Sequence, residues 1–246
     1  MTTYRIGQIV PSSNTTMETE IPAMLRAREQ VLPDRFTFHS SRMRMKKVTR
    51  EELAAMDADS DRCALELSDA RVDVLGYACL VAIMSMGKGY HATSQDRLHK
   101  VTVDNGAAAP VITSAGALVD GLHVMGARKI ALICPYMKPL AQLVIDYIED
   151  QGIEVEDAIA LEIADNIEVG RRDPAAPVEI AAGLKTSNVD VIVASACVQM
   201  PSLASIPQIE ARYGLPTVSA AACTTHFMLK SLGLDPKAPN AGAILS

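Results

Sequence analysis

No CxxC pair and no HxxxH spacing occurs in the 246 residues, so the sequence marks no metal site. GxGxxG, GxxxxGK and GxSxG are also missing, which removes the usual dinucleotide, nucleotide and serine-esterase signatures. No cofactor is expected. Positive charge is in deficit. Lys and Arg number 23 against 29 Asp and Glu, the net charge is −6 and the pI is about 5.4. Nucleic acid attracts basic surfaces, so it is not an expected partner. The chain does not open on a charged segment followed by an apolar one, so no export signal is expected. The long apolar tract at 75–86 carries Gly and Ser and is too short to cross a bilayer, so no membrane partner is expected. Cysteines are few. Cys63, Cys79, Cys134, Cys197 and Cys223 are odd in number and widely spaced, which argues against a disulfide framework and for a reducing cytoplasm.

What the chain does have is apolar residues, 49% of the total, enough for a large domain or two lobes. Two stretches read almost alike. Asp73-Val74-Leu75-Gly76-Tyr77-Ala78-Cys79-Leu80-Val81 and Asp190-Val191-Ile192-Val193-Ala194-Ser195-Ala196-Cys197-Val198 each run from an acid through apolar and small residues to a cysteine. Each reads as a buried strand that delivers a thiol. The flanking elements repeat too, since Pro11 aligns with Pro135 and Pro110 with Pro216.

In the first half, strands are expected at 4–10, 36–41, 73–79 and 110–113, with helices near 14–28, 50–70, 94–105 and 114–126. In the second half, strands are expected at 129–134, 153–161, 190–197 and 216–218. The matching helices are at 140–151, 177–186, 205–213 and 219–232. The stretch 84–90 reads as a flexible loop. Strands alternating with helices give parallel sheets with right-handed crossovers, and short strands without polar alternation fit sheets buried on both faces. The expected fold is therefore α/β. Two lobes related by a pseudo-twofold axis each hold a mainly parallel four-stranded sheet flanked by helices, and the active site lies in the cleft between them. The lobes divide into 1–113 and 114–246, with the C-terminal helix at 219–232 a candidate for exchange onto the first. Ligands bind at the carboxyl ends of such strands.

Two thiols facing each other across a cleft can act on opposite sides of one small molecule, as racemases and cofactor-free isomerases require. Free backbone N–H groups at each strand end are expected to favour the thiolates. A hydrolase would instead place a His beside its nucleophile, and no His spacing does so here. Core packing is the plain alternative for any buried cysteine, and it is kept for Cys63, Cys134 and Cys223.

These residues carry a resemblance. Val10-Pro11-Ser12-Ser13-Asn14, Tyr77-Ala78-Cys79-Leu80-Val81, Pro135-Tyr136-Met137, Ala164-Asp165-Asn166 and Cys197-Val198-Gln199-Met200-Pro201-Ser202 resemble the maleate cis-trans isomerases of the aspartate/glutamate racemase superfamily. The resemblance runs nearly the whole length. It implies cofactor-free conversion of maleate to fumarate, with a covalent intermediate on Cys79 and Cys197 as proton donor and acceptor. It also implies that Asn14, Tyr136 and Asn166 hold the substrate carboxylates, helped by the backbone at Leu80, Val81 and Val198, in a homodimer. Each residue has a plain alternative: a helix cap for Asn14, a rim aromatic for Tyr136 and a turn residue for Asn166. Amino-acid racemases usually carry Cys-Asn-Thr after both strands, and arylmalonate decarboxylases keep a cysteine only in the second lobe. Neither pattern fits Cys79-Leu80-Val81 and Cys197-Val198-Gln199. A racemase, a decarboxylase and a non-catalytic dicarboxylate-binding protein are the rival readings. The basic run Arg42, Arg44, Lys46 and Lys47 reads as a solvated face, or as a guide for a dianion. Residues 85–91 fit either a lid or a plain connection.

Overall fold

The computed structural model describes residues 2–46 and 48–246; Lys47, from the basic run, lies outside the described residues. The first sheet holds β1 (Thr3–Pro11), β2 (Arg35–Met43), β3 (Val74–Tyr77) and β4 (Val111–Thr113) in the order β2-β1-β3-β4. The second holds β5 (Lys129–Cys134), β6 (Glu154–Ala160), β7 (Val191–Ser195) and β8 (Thr217–Ser219) in the order β6-β5-β7-β8. Every strand pair is parallel. This is the expected α/β architecture, and the order reverses at the same place in each half.

The internal repeat extends to single hydrogen bonds. The acid before each central strand accepts backbone N–H groups at the start of its neighbour: Asp73 from Arg5 at 2.6 Å, and Asp190 from Arg128 at 2.8 Å and Lys129 at 2.9 Å. Just past each strand, Ala78 N–H donates to the Ile9 carbonyl and Ala196 N–H to the Ile133 carbonyl, both at 2.9 Å. Helix α5 (Ser114–Val124) is capped by Thr113 Oγ1, and α10 (Ala220–Ser231) by Ser219 Oγ. Each cap satisfies an N–H that the first helical turn leaves without a partner.

The helices cover the sheets. In the first half they are α1 (Met17–Arg28), α2 (Arg50–Asp69) and α4 (Tyr90–Asp104). Helix α10, last in the chain, packs against α1, α5, β3 and β4 as well as β8. The central strands are wholly buried, which fits their continuous apolar runs. Among the described residues, no helix is long and apolar enough to cross a membrane.

Two short helices depart from the expected pattern. The stretch after Cys79 forms α3 (Leu80–Ser85) at once, where no helix was expected and a loop was expected from residue 84. An apolar run of five residues, Leu80–Met84, has no periodicity that separates a buried helix from a strand. Asn166, expected in a turn or connection, opens α7 (Asn166–Gly170), capped by the Asp165 side chain. Helices α6 (Lys138–Asp150), α8 (Ala176–Ile180) and α9 (Ile206–Tyr213) complete the second half.

Candidate active site

Both cysteines sit just beyond the carboxyl end of a central strand, and both line one cavity of about 20 Å³ between the sheets. Their exposure is nearly equal, 9% for Cys79 and 8% for Cys197. Asn14, Val81, Tyr136, Asn166 and Val198 line the same cavity, so seven of the eight expected site residues meet there. Leu80 does not. It is buried and turned into the core instead, because the turn into α3 starts at Cys79 and carries Leu80 away. Pro11, Met45, Val48 and Gln199 complete the lining. No histidine is among these residues. Among the described residues, no cluster of His, Cys, Asp or Glu is arranged to hold a metal ion.

The local backbone differs at the two thiols. Cys79 has φ 87 and ψ 70, in the left-handed region, and caps α3. A side chain there costs about 1–3 kcal/mol, and such strain persists only where the surroundings enforce it. Behind Cys79, Asp57 takes hydrogen bonds from Tyr77 (3.1 Å), Tyr90 (2.7 Å) and Arg97 (3.1 Å). The end of β3 and the start of α4 are thereby pinned to α2. Cys197 is held differently. Gln199 N–H lies 3.4 Å from its sulfur, and the Ser195 hydroxyl donates to its carbonyl at 2.7 Å.

The electrostatics follow from burial. Removal from water pushes the Cys79 thiol from an ordinary 9.0 up to about 12, against which only the Ala82 N–H works. The expectation that the strand end would favour the thiolate therefore fails at Cys79: α3 supplies one donor, and desolvation is larger. Burial raises the Cys197 thiol too, but the Tyr136 hydroxyl and the N–H groups of Gln199 and Met200 oppose it. Cys197 thus has two backbone N–H donors for a negative sulfur, with the Tyr136 hydroxyl able to turn towards it, where Cys79 has one.

The polar residues are tightly placed. Asn14 Oδ1 accepts from the N–H groups of Thr16 (3.1 Å) and Met17 (3.0 Å), so the cap role is real, while Asn14 also faces the cavity. Tyr136 is buried and donates to the Ala196 carbonyl at 3.2 Å. It is not a rim aromatic. Asn166 Nδ2 donates to Ser13 Oγ at 2.8 Å, across from the second half to the first.

Arg42 is exposed, as a solvated face requires, but its head group is also committed to the protein. Its guanidinium donates to the carbonyls of Ser12 (2.9 Å) and Asn14 (3.1 Å) and pairs with Glu18. It clamps the loop that carries Asn14. None of residues 85–91 lines the sulfur cavity. Lys88 pairs with Asp150 and His91 with Tyr147, which fixes that segment against α6. The outer wall comes from Met45 and Val48. Beyond it, a pocket of about 510 Å³ shares Val48, Tyr136 and Asn166 with the inner cavity.

A maleate isomerase of Pseudomonas putida is 66% identical to this chain over 243 residues, covering 99% of it and 97% of the relative. The chain belongs to the maleate isomerase family. A family model described as arylmalonate decarboxylase matches residues 6–245, so the maleate isomerases fall within that broader family. The structure superposes on a cysteine-to-alanine variant of the maleate isomerase Iso from Pseudomonas putida S16, solved with maleate. The TM-score is 0.98 at 62% identity, covering 99% of this chain and 98% of that one. A cysteine-to-serine variant of the Nocardia farcinica maleate cis-trans isomerase holds a covalently bound succinylcysteine intermediate. It matches with a TM-score of 0.94 at 45% identity, over 99% of this chain and 98% of that one.

Proposed function

We propose that this protein isomerises maleate to fumarate without a cofactor, through a covalent adduct on Cys79. The observation that carries the reading is the meeting of two thiols from two equivalent strands in one cavity. The relatives' chemistry supports it. A succinylcysteine on an enzyme that has lost one cysteine requires a second cysteine to carry the adduct.

Cys197, the sulfur better supplied with donors, enters the cycle as a thiolate and takes the Cys79 proton as the Cys79 sulfur bonds to one alkene carbon. The alkene electron pair moves to the other carbon and its carboxylate, where fixed donors meet the developing charge. Cys197 returns the proton to that carbon. The central bond is now single, and it turns. Cys197 then removes the proton, the pair re-forms the double bond in the trans geometry, and the carbon–sulfur bond breaks. The proton goes back to Cys79. Covalent catalysis splits one forbidding rotation into accessible steps, and Cys197 acts as acid and base in turn.

Asn14 and Asn166 are the carboxylate donors in this reading, one from each lobe. The Tyr136 hydroxyl has one proton, and it turns from the Ala196 carbonyl to the substrate when a carboxylate is bound. A cavity of about 20 Å³ holds roughly one water, and a diacid of eight non-hydrogen atoms needs several times that space. The wall shared with the outer pocket must therefore move for substrate to enter. The lobes are 1–113 and 114–246, with α10 seated on the first, in a cytoplasmic homodimer whose mass light scattering would report.

The test is direct. Freshly reduced protein incubated with maleate gives the single alkene resonance of fumarate in proton NMR, and no conversion overturns the reading. In the Cys197→Ser variant, a succinyl mass is expected on the peptide that holds Cys79. An adduct on another cysteine reassigns the nucleophile.

A further inference from the structure

Gln199 follows the second thiol by two residues, is 2% exposed, and spends its whole carboxamide on the protein. Its Oε1 accepts from the backbone N–H groups of Thr15 (2.9 Å) and Thr16 (3.3 Å). Its Nε2 donates to the carbonyls of Ser13 (3.1 Å) and Asn166 (2.8 Å). Three of these partners flank Asn14 in the first half of the chain, and the fourth is Asn166 in the second. A carboxamide offers two lone pairs on oxygen and two hydrogens on nitrogen. All four are taken, so Gln199 has nothing left with which to bind a substrate carboxylate, although it lines the cavity.

We infer that Gln199 is a positioning residue that fixes the distance between Asn14 and Asn166 across the lobe seam, and ties both to Cys197. The inference rests on the reading that these two asparagines bind the two carboxylates. Maleate and fumarate hold their carboxylates at different separations, so the spacing of the donors decides which point along the rotation is best stabilised. The fold leaves room for this clamp at a particular place. A Cβ on Gly170, at the end of α7, would come within 2.5 Å of Gln199 Nε2 and 2.9 Å of Thr15 Oγ1. The second-lobe helix can approach the Asn14 loop only because that residue lacks a side chain. The Asn166 Nδ2 bond to Ser13 Oγ closes the same seam.

Two variants and a double-mutant cycle test this. Gln199→Met keeps the volume and loses all four bonds; kcat/KM for maleate is expected to fall about 10²-fold, the usual cost of misplacing a donor by about 1 Å. In an Asn14→Ala, Asn166→Ala background the further loss is expected to shrink below about threefold, because the residues act as one unit. Gln199→Glu separates positioning from mere folding. As a carboxylate it still accepts from Thr15 and Thr16 but offers no donor to the Ser13 and Asn166 carbonyls; protonated, it regains one donor. Its kcat/KM relative to the parent protein is therefore expected to rise as pH falls from 8 to 5. Retention of kcat/KM within threefold in Gln199→Met, full multiplication of the losses, or a flat Gln199→Glu ratio overturns the inference. Should Asn14→Ala and Asn166→Ala themselves keep full activity, it is the carboxylate-binding reading that fails, and this is visible before Gln199 is altered.

Discussion

Alkylation of Cys79 by iodoacetamide, followed against pH, probes the protonation state on which the proposed chemistry turns. Burial lifts this thiol from 9.0 to about 12. At neutral pH the thiolate is then about 10³-fold scarcer than for an ordinary cysteine, a cost of about 4 kcal/mol. Higher basicity makes each thiolate more nucleophilic, by roughly 20–30-fold over that range for a Brønsted slope near 0.45. The net expectation is alkylation about 30–50-fold slower than for an exposed thiol of equal access. Access to the narrow cavity lowers the absolute rate further but does not alter its slope with pH while reagent concentration is kept rate-limiting. Peptide mass spectrometry should show labelling at Cys79 climbing close to tenfold per pH unit from 7 to 10 with no plateau. A plateau centred near pH 7 or 8 would mean that Cys79 rests as a thiolate, and the proton relay through Cys197 would be refuted.

Arg42→Ala frees the loop that carries Asn14, and kcat/KM should drop about tenfold, mainly through KM, as expected for one or two lost charge-assisted hydrogen bonds. The loss should persist in 0.5 M NaCl; its disappearance there would mean that Arg42 steers anions rather than holding a loop. Glu20, buried between the halves, accepts from the N–H groups of Ser202 (2.6 Å) and Leu203 (2.7 Å), yet burial dominates and raises its carboxyl above 4.5. Its contribution to stability is therefore fully present below about pH 4.5 and is lost as pH rises through the higher folded value. Urea melts should show the parent protein gaining on Glu20→Gln as pH falls from 8 towards 5, and a constant difference would contradict this. Gly170→Ala should cost about 1–3 kcal/mol of stability by overpacking against Gln199, and should lower kcat/KM along with it. An unchanged melting temperature and activity would show that the seam is loose.

The two halves, both cysteines and the cleft were legible because duplication wrote the pattern twice: an acid, an apolar run, small residues and a cysteine. Asn14, Tyr136 and Asn166 were legible through the family motifs. That the Leu80 side chain leaves the cavity was not legible, because nothing in the apolar run after Cys79 says that a helix starts at Leu80. Arg42 was legible as surface charge, but its hold on the Ser12 and Asn14 carbonyls was not, because sequence does not display carbonyl partners. Gln199 was present in a quoted motif without a role. Its meaning lies in contacts some 183 to 186 residues distant in the chain, and no local spacing encodes those. The same holds for Val48 and Met45, which become cavity walls only once the segment after β2 folds over the thiols.

The left-handed backbone at residue 79 sets the wishes of the fold against those of the reaction. Glycine is the residue that rests there without penalty. Cys79→Gly should melt at least as high as the parent while losing all turnover. A library screened only for heat resistance would thus drift towards discarding the sulfur, and only a screen that also demands product would keep it.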